Sequence, residues 1–342
     1  MLRRFLMVVA LFTAVPLFAQ VQYSITPSNG PVAGGTEVTI KGEFGNWPYT
    51  VYFGATPAQA TRVDDTTLHV TTPAHLPTIV GITIFEYDIR LPTPLTFTFV
   101  GRPTDAFDAV LLPVFTAPIP GAFGSEFRTD FRARLVKEDR AQIYGLRYPC
   151  IVTCIQTNDE PYVVDTTVRN ATPENVEATG NPGTFLYTPK TEPGRVTMNL
   201  RAYDTSRSAE NFGTEIPIVP SSEFATAYDE ITLIGVPSDE RFRNTLRIYG
   251  FGDTATQLTV RITTEEDVLL SERVVDLPAQ QNIYRPGYLE ISDLPRGEGM
   301  LIVTISPIVP PISAPIPPPD RWAFISVTNN DTQHITLATP QP

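Results

Sequence analysis

Few side chains in this sequence could do chemistry, and the first to consider are its two cysteines, Cys150 and Cys154, in Tyr148-Pro149-Cys150-Ile151-Val152-Thr153-Cys154. Two thiolates fall short of the four ligands of a structural zinc site, and no histidine is near in sequence. An even cysteine count in an exported chain points instead to a disulfide. An extended strand would hold the two Cα atoms ~13 Å apart, beyond the ~7 Å that a disulfide spans. A Cys150–Cys154 bridge therefore needs residues 151–153 to turn; otherwise the pair stays reduced. The three histidines, His69, His75 and His334, organise no site. His69 alternates with Leu68 and Val70 and His334 flanks Ile335, so surface or edge positions are expected for them, with no partnered nucleophile or carboxylate. There is no G-x-S-x-G elbow, H-E-x-x-H pair, phosphate-binding loop or aspartate-rich calcium loop. No catalytic residue, metal or cofactor is expected. Glycosidase carboxylates could lie anywhere among the 37 acidic residues, and the sequence singles out no pair.

Binding has more to work with than catalysis. Gly45-Asn46-Trp47-Pro48-Tyr49 joins two strand-like segments, which places Trp47 and Tyr49 in a loop as a candidate binding pair. An exposed aromatic loop can stack on a sugar ring or anchor in a protein pocket. The competing reading is that Trp47 folds back over its own domain. Two arginine-lined faces are the other candidate: Arg128, Arg132 and Arg134 in one segment, Arg243 and Arg247 in another. They could meet acidic glycans, or be solvated and paired with acids across strands.

The elements that position these residues are strands. Thr, Val, Ile, Tyr and Phe are abundant, 34 residues are proline, and no window of a dozen residues keeps a 3.6-residue period free of proline or glycine. Ile25-Thr26-Pro27-Ser28-Asn29-Gly30-Pro31-Val32-Ala33-Gly34-Gly35-Thr36-Glu37-Val38-Thr39-Ile40-Lys41-Gly42 reads strand, turn, strand. Gly34-Gly35 permits backbone angles closed to other residues, and Val38 and Ile40 alternate with polar Thr39 and Lys41. The pattern I-x-P-x-x-G-P-x-x-G-G-T-x-V-x-I-x-G-x-x-F from Ile25 to Phe44, followed by V-x-F-G from Val51, closely resembles the IPT/TIG domain. That resemblance covers about residues 23–100 and implies an immunoglobulin-like β-sandwich without implying a chemistry.

Gly101-Arg102-Pro103-Thr104 reads as the first joint. Beyond it a pattern occurs twice. An apolar run, Ala109 to Val114, precedes Phe127-Arg128-Thr129-Asp130-Phe131-Arg132-Ala133-Arg134-Leu135; another, Ile231 to Val236, precedes Phe242-Arg243-Asn244-Thr245-Leu246-Arg247-Ile248. Each copy leads into a further alternating strand, Ala141 to Leu146 and Leu258 to Ile262. A diverged duplication is the reading, with Phe127 and Phe242 expected in corresponding cores. The expected architecture is all-β, tandem β-sandwich modules: an IPT/TIG-like domain at 20–101, a middle sandwich at 102–221 and a C-terminal one at 222–342. The proline-rich run 306–319 is expected as an exposed loop between strands, because proline cannot donate to a ladder.

Residues 1–19 carry two arginines, an apolar core from Phe5 to Phe18 and a small residue before Gln20, the pattern of a cleaved secretory signal peptide. Its apolar run is shorter than the ~20 residues that span a bilayer, so no membrane span is expected. Losing Arg3 and Arg4 takes the net charge from −12 to −14. Such a balance opposes nucleic-acid binding, which concentrates Lys and Arg. The sequence thus describes an exported protein, secreted, periplasmic or at the cell surface, whose non-catalytic work is binding or presentation through a protein or glycan partner. A structural spacer and a carbohydrate-active enzyme or its accessory subunit are the alternatives. Nothing in the sequence specifies the oligomeric state.

Overall fold

The computed structural model of the chain describes residues 22–115, 118–136, 141–146, 162–164, 167–171, 183–190, 196–206, 212–226, 228–297, 299–308 and 319–340. Residues 1–19, Cys150 and Cys154, and most of the proline-rich run lie outside these. The described chain is all-β with three single-turn 3-10 helices. It forms two compact units. One holds the described residues up to Gly30 with Gly35–Pro73 and Ile79–Thr98; the other holds Pro31–Gly34, Ala74–Thr78 and everything from Phe99 onward.

The first unit is built from β1 (Ser24–Thr26), β2 (Asn29–Pro31), β3 (Glu37–Lys41), β4 (Tyr49–Phe53), β5 (Thr56–Asp64), β6 (Thr67–Thr71), β7 (Ile79–Glu86) and β8 (Ile89–Val100), in the order β1-β3-β6-β5-β4-β7-β8-β2. Period-two alternation sets its faces. In β3, Val38 and Ile40 are buried between exposed Glu37 and Lys41, and they stand opposite buried Val70 and Leu68 of β6. Phe53 and Phe97 meet edge to face at 5.4 Å in the core. Gly34 and Gly35 take φ of 73° and 77°, the left-handed region that side-chain-bearing residues rarely enter.

The second unit holds two sandwiches. The earlier has β9 (Phe107–Leu112), β10 (Ile119–Pro120), β11 (Glu126–Leu135), β12 (Ala141–Ile143), β13 (Tyr162–Val164), β14 (Arg169–Ala171), β15 (Thr184–Pro189), β16 (Val196–Asp204), β17 (Thr214–Ile216) and β18 (Val219–Pro220). The later has β19 (Ile231–Pro237), β20 (Phe242–Phe251), β21 (Thr256–Thr264), β22 (Leu269–Leu277), β23 (Gly287–Ile291), β24 (Met300–Pro307), β25 (Asp320–Asn329) and β26 (Ile335–Ala338). The later pairs as β19-β24-β21-β22 over β23-β20-β25-β26. The earlier pairs β14, β11, β16 and β17 in the same order, and β9 with β15. Its β15 continues onto the end of β12 through mutual Tyr144 and Tyr187 hydrogen bonds of 2.9 and 3.0 Å, and β12 pairs with β13. The connectivity therefore occurs twice, strand for strand, with β10 and β18 as additions to the first copy. This supports the duplication read from the Phe-Arg alternations.

Two expectations need correction. Phe127 and Phe242 are only half-buried, each near the start of its strand: Phe242 packs against the core of the later sandwich, as expected, whereas Phe127 is not among the described residues packed in the core of the earlier one. The cores belong to Phe131, Ala133 and Leu135 in the first copy and Leu246 and Ile248 in the second. Strand β24 also runs through Ser306 and Pro307, so the proline-rich connection begins later; Pro307 sits at the strand's last position, where a missing donor costs least.

Candidate functional site

Strands β20 and β25 pair in a register that places Arg243 beside Thr328, Thr245 beside Ser326, Arg247 beside Phe324 and Tyr249 beside Trp322. These residues form one face of the sheet, opposite the core face of Leu246, Ile248, Ala323, Ile325 and Val327. The aromatic end is dry. Tyr249 and Phe324 are fully buried and Trp322 nearly so, with ring centroids 5.3–6.4 Å apart. The earlier sandwich packs against this end, where Phe185 lies 4.6 Å from Phe251 and its N–H donates to Tyr284 O at 2.8 Å; at the opposite end, beside Thr328, Thr214 Oγ1 donates to Ile335 O.

The arginine end of the same face stays open as a cleft of about 310 Å3 between the two sandwiches. The later sandwich contributes Arg243, Thr245, Arg247, Ser326 and Thr328, with Ser292 and Arg296 from the loop after β23. The earlier sandwich contributes Phe127, Arg128 and Thr129, with the 119–122 segment. Both Phe-Arg words thus meet in one place. The lining holds four arginines and no Asp, Glu, His or Cys.

The four arginines differ in their surroundings. Arg128 donates to Asp130 at 3.1 Å and to the Tyr203 hydroxyl, which itself donates to Asp130 at 2.7 Å. Burial first, and then the Asp130 hydrogen bond, raise the Tyr203 pKa and keep that phenol neutral. Arg247 lies 3.3 Å from Glu290, donates to Ser326 Oγ at 2.6 Å, and sits over Phe324. Arg243 instead donates to two amide oxygens, Asn330 Oδ1 at 2.6 Å and Gln333 Oε1 at 2.8 Å, and lies over the Phe123 ring. Burial lowers its pKa, though a guanidinium stays cationic across the accessible pH range. Arg296 is exposed. Arg132 and Arg134, the other members of the first arginine face, point outward elsewhere.

The aromatic pair proposed for the first unit separates. Trp47 is 62% exposed, as a loop aromatic should be, but Tyr49 is only 7% exposed. Tyr49 opens β4 and packs edge-on against Phe44 at 5.5 Å; its hydroxyl donates to Glu86 Oε1 at 2.6 Å. Burial, reinforced by Glu86, raises its pKa. The exposed neighbour of Trp47 is Tyr87, 6.4 Å away between ring centroids. Trp47→Ala is expected to leave the unfolding midpoint of the first unit nearly unchanged. Tyr49→Ala is expected to cost about 3 kcal/mol or more, as buried aromatic truncations do; thermal melts of the two single variants check the contrast. His69 and His334 are exposed as expected. His75 is not: it is fully buried, stacked on Phe99 at 4.9 Å and edge-on to Tyr144, because its segment, 74–78, packs as part of the second unit.

Sequence reasoning marked Arg128, Arg243 and Arg247 but could not join them, since nothing local couples positions so far apart. One signal was available. Trp322-Ala323-Phe324-Ile325 is apolar without alternation, which a strand shows when both of its faces are covered. A second layer over the β20–β25 face follows from that.

Comparison with known proteins places residues 21–99 in the IPT/TIG domain model. A search of curated proteins finds no match to this chain. Among solved structures, the surface glycan-binding protein PbSGBP-B from Prevotella bryantii aligns at 8% identity over 92% of this chain and 95% of its own, with a TM-score of 0.19. InvD of Yersinia pseudotuberculosis aligns at 11% identity over 93% and 97%, also with a TM-score of 0.19. Scores that low carry neither a fold nor a role across. Among the described residues no helix is long and apolar enough to cross a membrane. The motif from Ile25 to Phe44, the strand order of the first unit and the family match agree: residues 21–99 are an IPT/TIG domain.

Proposed function

We propose that this is an exported, non-catalytic binding protein that takes its ligand in the cleft between the two later sandwiches. The observation that carries the reading is the lining of that cleft: an aromatic and hydroxyl-bearing surface with four arginines and no acid, base or thiol able to transfer a proton or attack a bond. A glycosidase needs two carboxylates across the scissile bond, and this lining offers none. In this reading residues 1–19 direct export and are removed, 20–101, 102–221 and 222–342 act as three modules, Cys150 and Cys154 close a small bridged loop, and the partner is a glycan or protein outside the cytoplasm. Trp47, with Tyr87 in place of Tyr49, is a second contact point at most.

The test uses exported protein. Its intact mass should begin at Gln20 and fall by two hydrogens relative to the reduced chain. On a panel of soluble glycans and cell-envelope fractions it should bind saturably and release no product. Thr245→Trp, which fills the cleft, should abolish binding, while Trp47→Ala should keep most of it. Product release, or binding indifferent to Thr245→Trp, would overturn the assignment.

A further inference from the structure

We infer that the ligand of this cleft is an anionic saccharide, a pyranose bearing a carboxylate or sulfate; the inference rests on the reading of the cleft as the binding site. The whole chain carries a net charge of −12, yet the cleft lining contains four arginines and no acid. Two of those charges are balanced from outside the lining, Arg128 by Asp130 and Arg247 by Glu290. Arg243 is oriented by neutral groups, the Asn330 and Gln333 amide oxygens and the Phe123 ring, which fix its direction without cancelling its charge. Arg296 is exposed and, among the described residues, no carboxylate lies within ion-pair distance of Arg243 or Arg296. The cleft therefore presents a net positive charge, half-sheltered by sandwich walls, where a charge-assisted hydrogen bond is stronger than on an open surface.

The remaining lining identifies what carries the anion. Phe127 offers an aromatic ring suited to the C–H face of a sugar, and Thr245, Ser292, Ser326 and Thr328 offer hydroxyls suited to its ring hydroxyls. A fatty acid would need a continuous apolar tunnel, and this lining interrupts its apolar surface with polar groups on β11, β20 and β25. At about 310 Å3 the cleft is at the small end of ligand pockets, ~300–1,000 Å3, room for about one or two pyranose rings. The remainder of a longer chain would leave along the open side.

The test is calorimetric titration of the mature protein with four probes: a trigalacturonate, a sulfated disaccharide, a neutral trisaccharide of matched length, and sodium sulfate or acetate alone. One of the two acidic saccharides should bind at least about tenfold more tightly than the neutral one. Which of them binds says whether carboxylate or sulfate is the recognised group. Arg243→Gln and Arg296→Gln should each weaken that binding by about tenfold, and raising salt should weaken it further. Because Arg243 also holds Asn330 and Gln333, its variant is first checked for an unchanged melt; if it does not fold, Arg296→Gln, at an exposed position, carries the test alone. Equal binding of the neutral trisaccharide, unaffected by either arginine variant, would overturn the inference while leaving the cleft as the site, provided Thr245→Trp still abolishes it. Free sulfate or acetate binding as tightly as the saccharide would overturn the saccharide part. No binding by any of the four would overturn the inference, and the envelope-fraction assay would then stand or fall separately.

Discussion

Arg321→Met should lower the melting temperature of the second unit by roughly 10 °C, the largest stability loss expected of any charged position in the chain. Arg321 has no exposed surface, although it lies in a strand between Asp320 and Trp322. Its guanidinium donates to the carbonyls of Pro319 at 3.1 Å, Thr226 at 3.2 Å and Asp229 at 2.7 Å, and its backbone pairs with Ala225 in both directions at 2.8 Å. Thr226 and Asp229 belong to the connector between β18 and β19, so this side chain pins the link between the two sandwiches. Methionine keeps much of the volume but leaves the carbonyl of buried Pro319 unpaired, at about 1–3 kcal/mol, and releases the connector carbonyls of Thr226 and Asp229 from the hydrogen bonds that hold them. A total of about 3–5 kcal/mol corresponds, at ~2–4 °C per kcal/mol for a unit of this size, to the stated shift. Differential scanning calorimetry checks it. A midpoint within about 2 °C of the parent would mean that water satisfies those carbonyls and that the connector is not held by this residue.

Phe185→Ala should cost a similar amount, about 3–5 kcal/mol, and the loss should appear in both sandwiches. Phe185 is fully buried between Phe251 at 4.6 Å and Phe224 at 6.0 Å, and its backbone N–H bonds across to Tyr284. It therefore belongs to the core of neither sandwich alone; it belongs to their junction. Hydrogen exchange should show lost protection in β15 and equally in β20 and β25. Phe212→Ala, at an 86% exposed ring, should change neither. Loss confined to β15 and its sheet would show that the two sandwiches unfold independently.

These two positions also show what the sequence could and could not reveal. Alternation located the buried faces of β3, β11 and β20 because a half-buried strand must repeat every two residues. The IPT/TIG motif was legible for a related reason: Gly34-Gly35 and the prolines mark turns with demands that few residues meet. Alternation says nothing, however, about which faces of distant strands will meet. Arg128 and Arg243 therefore looked like two solvated stripes, and the cleft that joins them appeared only once the sandwiches were docked. Gly45 to Tyr49 reads as a loop because it joins two strand-like segments, whereas a proline just before a strand costs the ladder no donor and β4 already begins at Tyr49. Arg321 was invisible: a single charge inside an apolar strand normally marks the wet face, and only the connector's carbonyls make the dry position tolerable.

The repeated connectivity has one more consequence, for how long such an array can grow. The sandwiches meet through unlike surfaces, the β9–β15 side of the earlier copy against the β20–β25 face of the later one, and a head-to-tail contact of that kind can in principle add units indefinitely. Aligned on the Phe-Arg words, the positions of Tyr249 and Trp322 in the later copy are held by exposed Arg134 and Thr197 in the earlier one, and those of Arg247 and Phe324 by Arg132 and Asn199. The earlier copy has exchanged a dry aromatic docking surface for a charged, wet one, as terminal caps of repeat arrays do. On that side the seat for another copy is hydrophilic, so the dry contact of β20 and β25 is not repeated there.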